Sequence, residues 1–398
     1  MGKGLKNYEK FIMHIATHDG NASIENLNKL LPKGITYTAH FYVSTKTKPY
    51  HKYFSKNIDG TYSLSDEGKE YYETKLKQEA SDNVEIKSRS EPLFINELDL
   101  IESLQESHNI ILHGAPGTGK TFLAKEIAKK LCGIKTDEEL KNSKQFKMVQ
   151  FHPSYDYTDF VEGLRPRQVK NNIVFKRENG VFKEFCQEAI KTQGKYFVFL
   201  IDEINRGDMS KIFGELFYAI DPGYRGEKGK IDTQYQNLID KKGDDPFKEG
   251  FYVPDNVYII GTMNDIDRSV ESMDFAMRRR FQFIEVTAES RAEDMFKDDN
   301  GNSLSNAKTA KEIMTNLNNC IISKEIGLSK SYQIGGSYFK KFAANEENAQ
   351  TLWDYRLKGL LREYLRGEEG KVIDNKLDIL HEAYTGENKY NKDGELEA

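Results

Sequence analysis

The sequence predicts an α/β protein built on a parallel, doubly wound sheet, with a small unit before it and an all-helical segment after it. Three observations support this. Four apolar, strand-like runs ("NIILHG", "KMVQF", "YFVFLID" and "VYIIGTM") alternate with helical stretches, as parallel strands joined by helical crossovers require. From about residue 288 the strand-like runs stop, and "NAKTAKEIMTNLNNCII" and "TLWDYRLKGLLREYLR" carry helical spacing. At residues 78–92, "QEASDNVEIKSRSEP" is polar, charged and aperiodic, which marks a linker. The expected division is therefore an N-terminal domain over 1–78, a linker over 79–92, an α/β core over 93–287, and a helical lid with a C-terminal tail over 288–398.

The N-terminal domain opens with helical spacing in "YEKFIMHIA" and "IENLNKLL". It continues as strand, turn and strand around "FSKNIDGTYSL" and closes with a helix in "YSLSDEGKEYYE", an α+β order similar to a winged helix. Between Lys29 and Lys56 stand Lys33, Lys46, Lys48 and Lys52 without an Asp or Glu, interleaved with Tyr37, His40, Phe41, Tyr42, Tyr50, His51, Tyr53 and Phe54. Such a stretch can neutralise phosphates and offer flat rings, so DNA is the expected partner, with protein docking as the other use of such modules.

At 398 residues the chain is long enough for two or three domains, each with its own core. Hydrophobic residues at 38% against 30% charged fit a globular protein. No apolar run approaches the roughly 20 residues that cross a bilayer, and "MGKGLKNYEKF" lacks the apolar stretch of a secretory leader, so a cytoplasmic protein without membrane contact is expected. Cys132, Cys186 and Cys320 are widely separated and odd in number, which argues for core packing and against a disulfide framework or zinc site. The net charge of −5 does not by itself point to nucleic acid.

The segment "ILHGAPGTGKTF" contains G-x-x-x-x-G-K-T from Gly114 to Thr121, between an apolar strand and the helix "TFLAKEIAKKL". In such a P-loop, Gly114, Ala115, Pro116, Gly117, Thr118, Gly119 and Phe122 bring backbone groups to the phosphates, Lys120 reaches the terminal phosphates and Thr121 holds magnesium. A partner strand must supply carboxylates. "YFVFLIDE" ends in Asp202, which supports the metal, and Glu203, which polarises the attacking water as general base.

A third strand, "VYIIGTM", ends in Asn264 and is expected between these two. The Asn264 amide can donate to phosphate or orient the water without adding charge to an anionic site. Asp267 and Arg268 follow, with capping and ion pairing as their structural alternatives. Further on, Arg278, Arg279 and Arg280 lie between "DFAM" and "FQFIEV". At least one of them is expected to face a neighbouring subunit's phosphates, a role that contributes roughly 10³ to 10⁵ in rate.

Taken together, "QFHPSYDYTDFVEGLRP", "FLIDEINRGDMSKIFGELFYAID", "FYVPDNVYIIGTMNDIDRSVESMDFAMRRRF" and "IGGSYF" resemble McrB, the AAA+ motor family of modification-dependent restriction systems, in order from about residue 93 to 366. The resemblance implies an AAA+ core with a helical lid, a hexameric ring, GTP in place of ATP, and a separate McrC-like subunit that stimulates hydrolysis and carries the nuclease. The family's loop usually reads M-N-T-A-D-R, whereas here it reads Met263-Asn264-Asp265-Ile266-Asp267-Arg268. By that match Asn264 and Asp267 take catalytic roles, with Glu203, Arg279 and Arg280, while Asp265 departs from the pattern. No residue reports guanine preference physically, so GTP over ATP rests on the resemblance. The N-terminal domain departs from the better-known modules of the family.

Other expectations are more local. His152 and its tyrosines suit strand-end packing better than base stacking. Arg206 is placed to meet a neighbour. The Gly-rich segment 222–250 reads as a hairpin or loop for partner or DNA contact, and Arg356 or Arg362 as a lid arginine near phosphate. No nuclease constellation is present, so cutting is assigned to another chain. The alternative to a restriction motor is an ATP-dependent protein-remodelling chaperone of the MoxR type.

Overall fold

The computed structural model describes residues 21–22, 54–57, 61–71, 97–266, 275–298 and 301–397. The chain divides into two compact units, Met1–Leu93 and Phe94–Ala398.

In the first unit a three-stranded antiparallel sheet has the order β1 (Asn21–Ala22), β3 (Tyr62–Leu64), β2 (Phe54–Lys56), and α1 (Asp66–Tyr71) follows β3. The β2 and β3 pairing, from Phe54 with Leu64 to Lys56 with Tyr62, places strands on either side of the turn read from "FSKNIDGTYSL". The closing helix read from "YSLSDEGKEYYE" is α1, whereas the first two predicted helices of this unit, the basic stretch as a whole and the linker lie outside the described residues.

The second unit begins with α2 (Glu97–Ser107) and β4 (Asn109–Gly114). Next come α3 (Lys120–Cys132), α4 (Asp137–Asn142) and β5 (Phe146–Gln150). A short α5 (Tyr157–Phe160) leads into the hairpin β6 (Glu162–Val169) and β7 (Asn172–Asn179), then α6 (Val181–Lys191) and β8 (Phe197–Asp202). After α7 (Met209–Phe213) and α8 (Leu216–Ala219) the chain reaches β9 (Val257–Asn264), α9 (Phe275–Arg278) and β10 (Gln282–Glu285). The five-stranded sheet has the order β10-β4-β9-β8-β5, every neighbouring pair parallel. The expected placement of the third strand holds: β9 runs between β4 and β8. The apolar stretch after the arginine triplet, "FQFIEV", supplies β10 as the fifth strand.

Alternation along these strands feeds two cores. Ile111, Phe199, Ile201 and Ile259 point to a face covered by Phe182, Phe185, Ile212 and Phe213. Ile110, Leu112, Val198, Leu200 and Ile260 point to the opposite face, against Leu123, Ala124 and Ile127 of α3. A sheet buried on both faces explains why its strands read as continuous apolar runs. A third cluster, with Met314, Leu317, Ile321, Trp353, Leu361 and Leu380, is the core of the helical lid, built from α10 (Ala288–Met295), α11 (Ala307–Ile321), α12 (Lys340–Ala343), α13 (Ala349–Leu352), α14 (Lys358–Tyr364) and α15 (Gly370–Thr385). Cys186 and Cys320 are buried and Cys132 half-buried, all three free, and burial pushes the Cys132 and Cys320 thiols up to about 12. Among the described residues no helix is long and apolar enough to cross a membrane.

The segment 222–250, expected as a hairpin or loop, folds into short 3-10 turns at Pro222–Tyr224, Glu227–Gly229 and Gln236–Leu238, with Phe247 fully buried and Ile231 bridged to buried Phe251 just beyond it. The projecting element is instead the β6–β7 hairpin, whose Ile173 and Phe175 are 73% and 68% exposed. Its two-residue connection, Lys170-Asn171, places Lys170 at φ 54, the left-handed geometry that tight hairpin turns use.

Candidate nucleotide site

All strands of the sheet point the same way, so the residues that end β4, β8 and β9 meet at one edge, where ligands of open α/β sheets bind. The P-loop leaves β4 at Gly114 and enters α3 through Gly117 (φ 75) and Gly119 (φ 83), positions that side chains rarely tolerate. Thr118 is buried, its hydroxyl donating to the Ala115 carbonyl at 3.1 Å, which fixes the loop's curve. Lys120 is also buried, and Nζ donates to the carbonyls of Gly114 (3.1 Å) and Ala115 (2.7 Å). Phe122 is exposed, so only its backbone belongs to the helix start.

The Thr121 hydroxyl, in the first turn of α3, donates to Asp202 Oδ1 at the end of β8 at 2.8 Å. Thr262, on the intervening β9, donates to the same oxygen at 2.7 Å and accepts from the Glu203 N–H at 3.3 Å. Thr262 escaped the sequence reading because it sits mid-strand in "IIGTMN", where a β-branched residue needs no functional reason. The hydroxyl of Thr121 and the carboxylate of Asp202 are hard oxygen donors of the kind magnesium takes, with its remaining positions left to phosphate oxygens and water. Among the described residues no three His, Cys, Asp or Glu side chains gather as a metal cage.

Glu203 Oε1 accepts from Asn264 Nδ2 at 2.7 Å, and Arg206 Nε lies 3.3 Å from Oε2. Glu203 adopts φ 52, ψ 46, a left-handed conformation that costs a non-glycine residue roughly 1–2 kcal/mol. The structure thus gathers Gly114 to Thr121, Asp202, Glu203 and Asn264 at one edge. Asp267 and Arg268 lie outside the described residues.

The three arginines are separated by their surroundings. Asn109, the first residue of β4, donates to the Arg280 carbonyl at 2.9 Å, so the triplet sits at the sheet edge opposite the P-loop. Arg280 does not fit the expected outward-facing role. It is buried, its guanidinium bonds the Ala276 carbonyl and stacks over Phe217 at 5.8 Å, and Nε lies 3.8 Å from Asp221. Arg278 and Arg279 are exposed. Buried Arg225 braces the same edge, donating to Asn109 Oδ1 at 2.5 Å and to the Val257 carbonyl at 3.1 Å.

The lid reaches the P-loop by backbone. Gly335 N–H donates to the Pro116 carbonyl at 2.9 Å, and Ser337 N–H to that of Gly117 at 3.1 Å. A Cβ on Gly335 would stand 2.1 Å from the Gly117 carbonyl carbon. The expected lid arginines are engaged elsewhere: Arg356 Nε donates to Glu347 at 3.0 Å and Arg362 to Asp374 at 2.6 Å, because each has an acidic neighbour within the lid. His152 packs edge-on against Tyr155, which itself stacks on buried Phe151.

This fold and this edge define a nucleotide-binding AAA module. Residues 109–281 match the AAA domain (dynein-related subfamily), and residues 309–373 match the McrB alpha-helical lid domain. At the level of individual proteins, the chain is 38% identical over 276 residues to the type IV methyl-directed restriction enzyme EcoKMcrB subunit of Escherichia coli (strain K12), covering 66% of this chain and 54% of that protein. It is 29% identical over 215 residues to the type II restriction enzyme BsuMI component YdiS of Bacillus subtilis (strain 168), covering 48% of this chain and 60% of that one. The chain therefore spans little more than half the length of these relatives. A putative ATPase from Cytophaga hutchinsonii ATCC 33406 aligns with 72% of this chain and 74% of its own at 16% identity and a TM-score of 0.29.

Proposed function

We propose that the chain is a nucleoside triphosphatase, the AAA motor of a McrBC-like restriction system, with GTP as its substrate and a separate McrC-like nuclease as its partner. The observation that carries the hydrolytic reading is the pair Glu203 and Asn264, joined at 2.7 Å beside the P-loop. Glu203 takes the proton of the attacking water, and the Asn264 amide holds that carboxylate and the water in line. Lys120 binds the terminal phosphates, and Thr121 with Asp202 would hold a magnesium ion, which would supply positive charge to the phosphate oxygens.

Asp267 is assigned its role from the family's loop, and Arg279, exposed at the far edge, is the arginine supplied to the next subunit of a hexameric ring. The likeness to an McrB subunit and to a second restriction component supports the restriction context, while GTP rests on the resemblance of the sequence motifs to the McrB family. The N-terminal unit, with its basic and aromatic stretch, is assigned to DNA. The test is steady-state hydrolysis of GTP and ATP with magnesium, alone and with a McrC-like nuclease subunit. GTP preference with stimulation supports this reading. ATP preference without stimulation assigns the motor to protein remodelling instead.

A further inference from the structure

His113 stands immediately before the P-loop glycine, and its Nδ1 lies 3.1 Å from each oxygen of Asp265. Asp265 directly follows Asn264, and its own N–H donates to the Gly114 carbonyl at 3.2 Å. That carbonyl also accepts from Lys120 Nζ. The pair is largely shielded, the side chains being 24% and 19% exposed, and Nδ1 is shared equally between the two carboxylate oxygens, unlike a screened surface contact. It also lies at a position of need. Gly114 and Asn264 are the last register partners of β4 and β9, and beyond them β9 leaves the sheet. On the other side, among the described residues, Asn264 is tied by its amide to Glu203 and by a long 3.4 Å bond from Asn205 to its carbonyl.

The ring of His113 meets Phe283 of β10 edge-on at 5.9 Å, and the Arg278 guanidinium lies over the same ring at 5.1 Å. We propose that His113 and Asp265 are positioning residues: their pair clamps the end of β9 to the start of the P-loop and so sets the Asn264 amide against Glu203, with Phe283 linking the clamp to the arginine-bearing edge. The departure of Asp265 from the family's loop then has a partner in the same chain, His113. This inference rests on the hydrolytic reading above. A clamp of this kind acts on turnover and not on nucleotide capture, because displacement of a water-orienting group by about 1 Å costs on the order of 10² in rate.

The test compares the parent chain with His113→Ala, Asp265→Ala, the double variant and His113→Gln, whose amide can still donate to Asp265. Turnover and binding of a non-hydrolysable GTP analogue are measured for each, with thermal unfolding to establish that each is folded. Each single alanine variant is expected to lower kcat about 10- to 100-fold with nucleotide affinity unchanged. The double variant should be no slower than the worse single, and His113→Gln should recover most of the rate. Additive losses, losses that follow affinity, or parental rates in both single variants would overturn the clamp while leaving the hydrolytic reading intact. A parent chain that binds nucleotide but turns none over would overturn both.

Discussion

Glu203 is held in a left-handed backbone conformation, bonded through its N–H to Thr262 and through its carboxylate to Asn264. Strain of this kind persists only where the surroundings over-determine it, and here they do so to aim one carboxylate. Glu203→Gln should keep the amide contact and nucleotide affinity but lower kcat about 10² to 10⁴-fold, read by steady-state hydrolysis beside analogue binding. Lys120→Ala, by contrast, should lose nucleotide binding itself, which titration of a fluorescent analogue would detect. Asp202, Glu203 and Asn264 were legible because acidic and amide residues at the ends of apolar runs are conspicuous. The backbone of Glu203 and the hydroxyl of Thr262 were not, since both are consequences of strands that are neighbours in space and some sixty positions apart in sequence.

Among the elements, the β6–β7 hairpin is fixed at its root by a buried charge cluster. Glu162 and Lys183 are fully buried and joined at 2.7 Å, Arg177 reaches Glu162 at 2.9 Å, and Arg177 also meets Asp245 at 3.2 Å. Burial alone would raise the Glu162 carboxyl, but the Lys183 ammonium, the Thr233 hydroxyl and the Tyr235 N–H hold it below the usual carboxylate range. A depressed carboxyl contributes its stability above the unfolded value and loses it as pH falls through the folded one. Glu162→Gln should therefore destabilise the α/β unit by about 3 kcal/mol at neutral pH, with a smaller effect in acid, measurable by chemical denaturation at two pH values.

The lid turn offers a second element-scale prediction. Gly335→Ala cannot be accommodated against Gly117, so the lid should lift from the P-loop and nucleotide affinity should fall about tenfold in an otherwise folded chain. Unchanged affinity would mean that the lid turn is dispensable. Four strands of the sheet were readable from sequence as apolar runs, whereas the short, partly exposed β10 was not, nor was the hairpin, since an exposed ribbon with Arg165, Arg167, Lys170 and Lys176 has the composition of a loop. In the segment 222–250 the glycines that mark a loop are conspicuous, while the burial of Phe247 is not, since a single aromatic residue gives no periodicity.

On the scale of the whole molecule, the arginine triplet and the P-loop lie at opposite edges of one parallel sheet. A chain built this way cannot bring Arg279 to its own phosphates, and copies meeting head to tail form the heterologous contacts that close into rings. Arg279→Ala and Glu203→Gln should each be inactive alone. Mixed in equal amounts they should regain turnover, because some interfaces pair an intact Glu203 with an intact Arg279. No recovery on mixing, with assembly shown by light scattering, would assign the arginine to another role. The N-terminal unit could be read from sequence only as a candidate for DNA, since its basic stretch carries charge and rings but no base-reading pattern.

The strand order β10-β4-β9-β8-β5 also bears on how the chain comes into being. β4 is the first strand of the α/β unit to leave the ribosome, yet its two neighbours are β9 and β10, which begin at residues 257 and 282. β5 and β8 can pair while β4 still has both edges open. Such late, non-local pairing makes folding slow and leaves an apolar strand available to other chains. Nascent chains halted before residue 257 should accordingly be cleaved by protease around Ile110–Leu112, and chains extended past residue 285 should be protected there. The strand that carries the phosphate loop is the first to be made and the last to be enclosed.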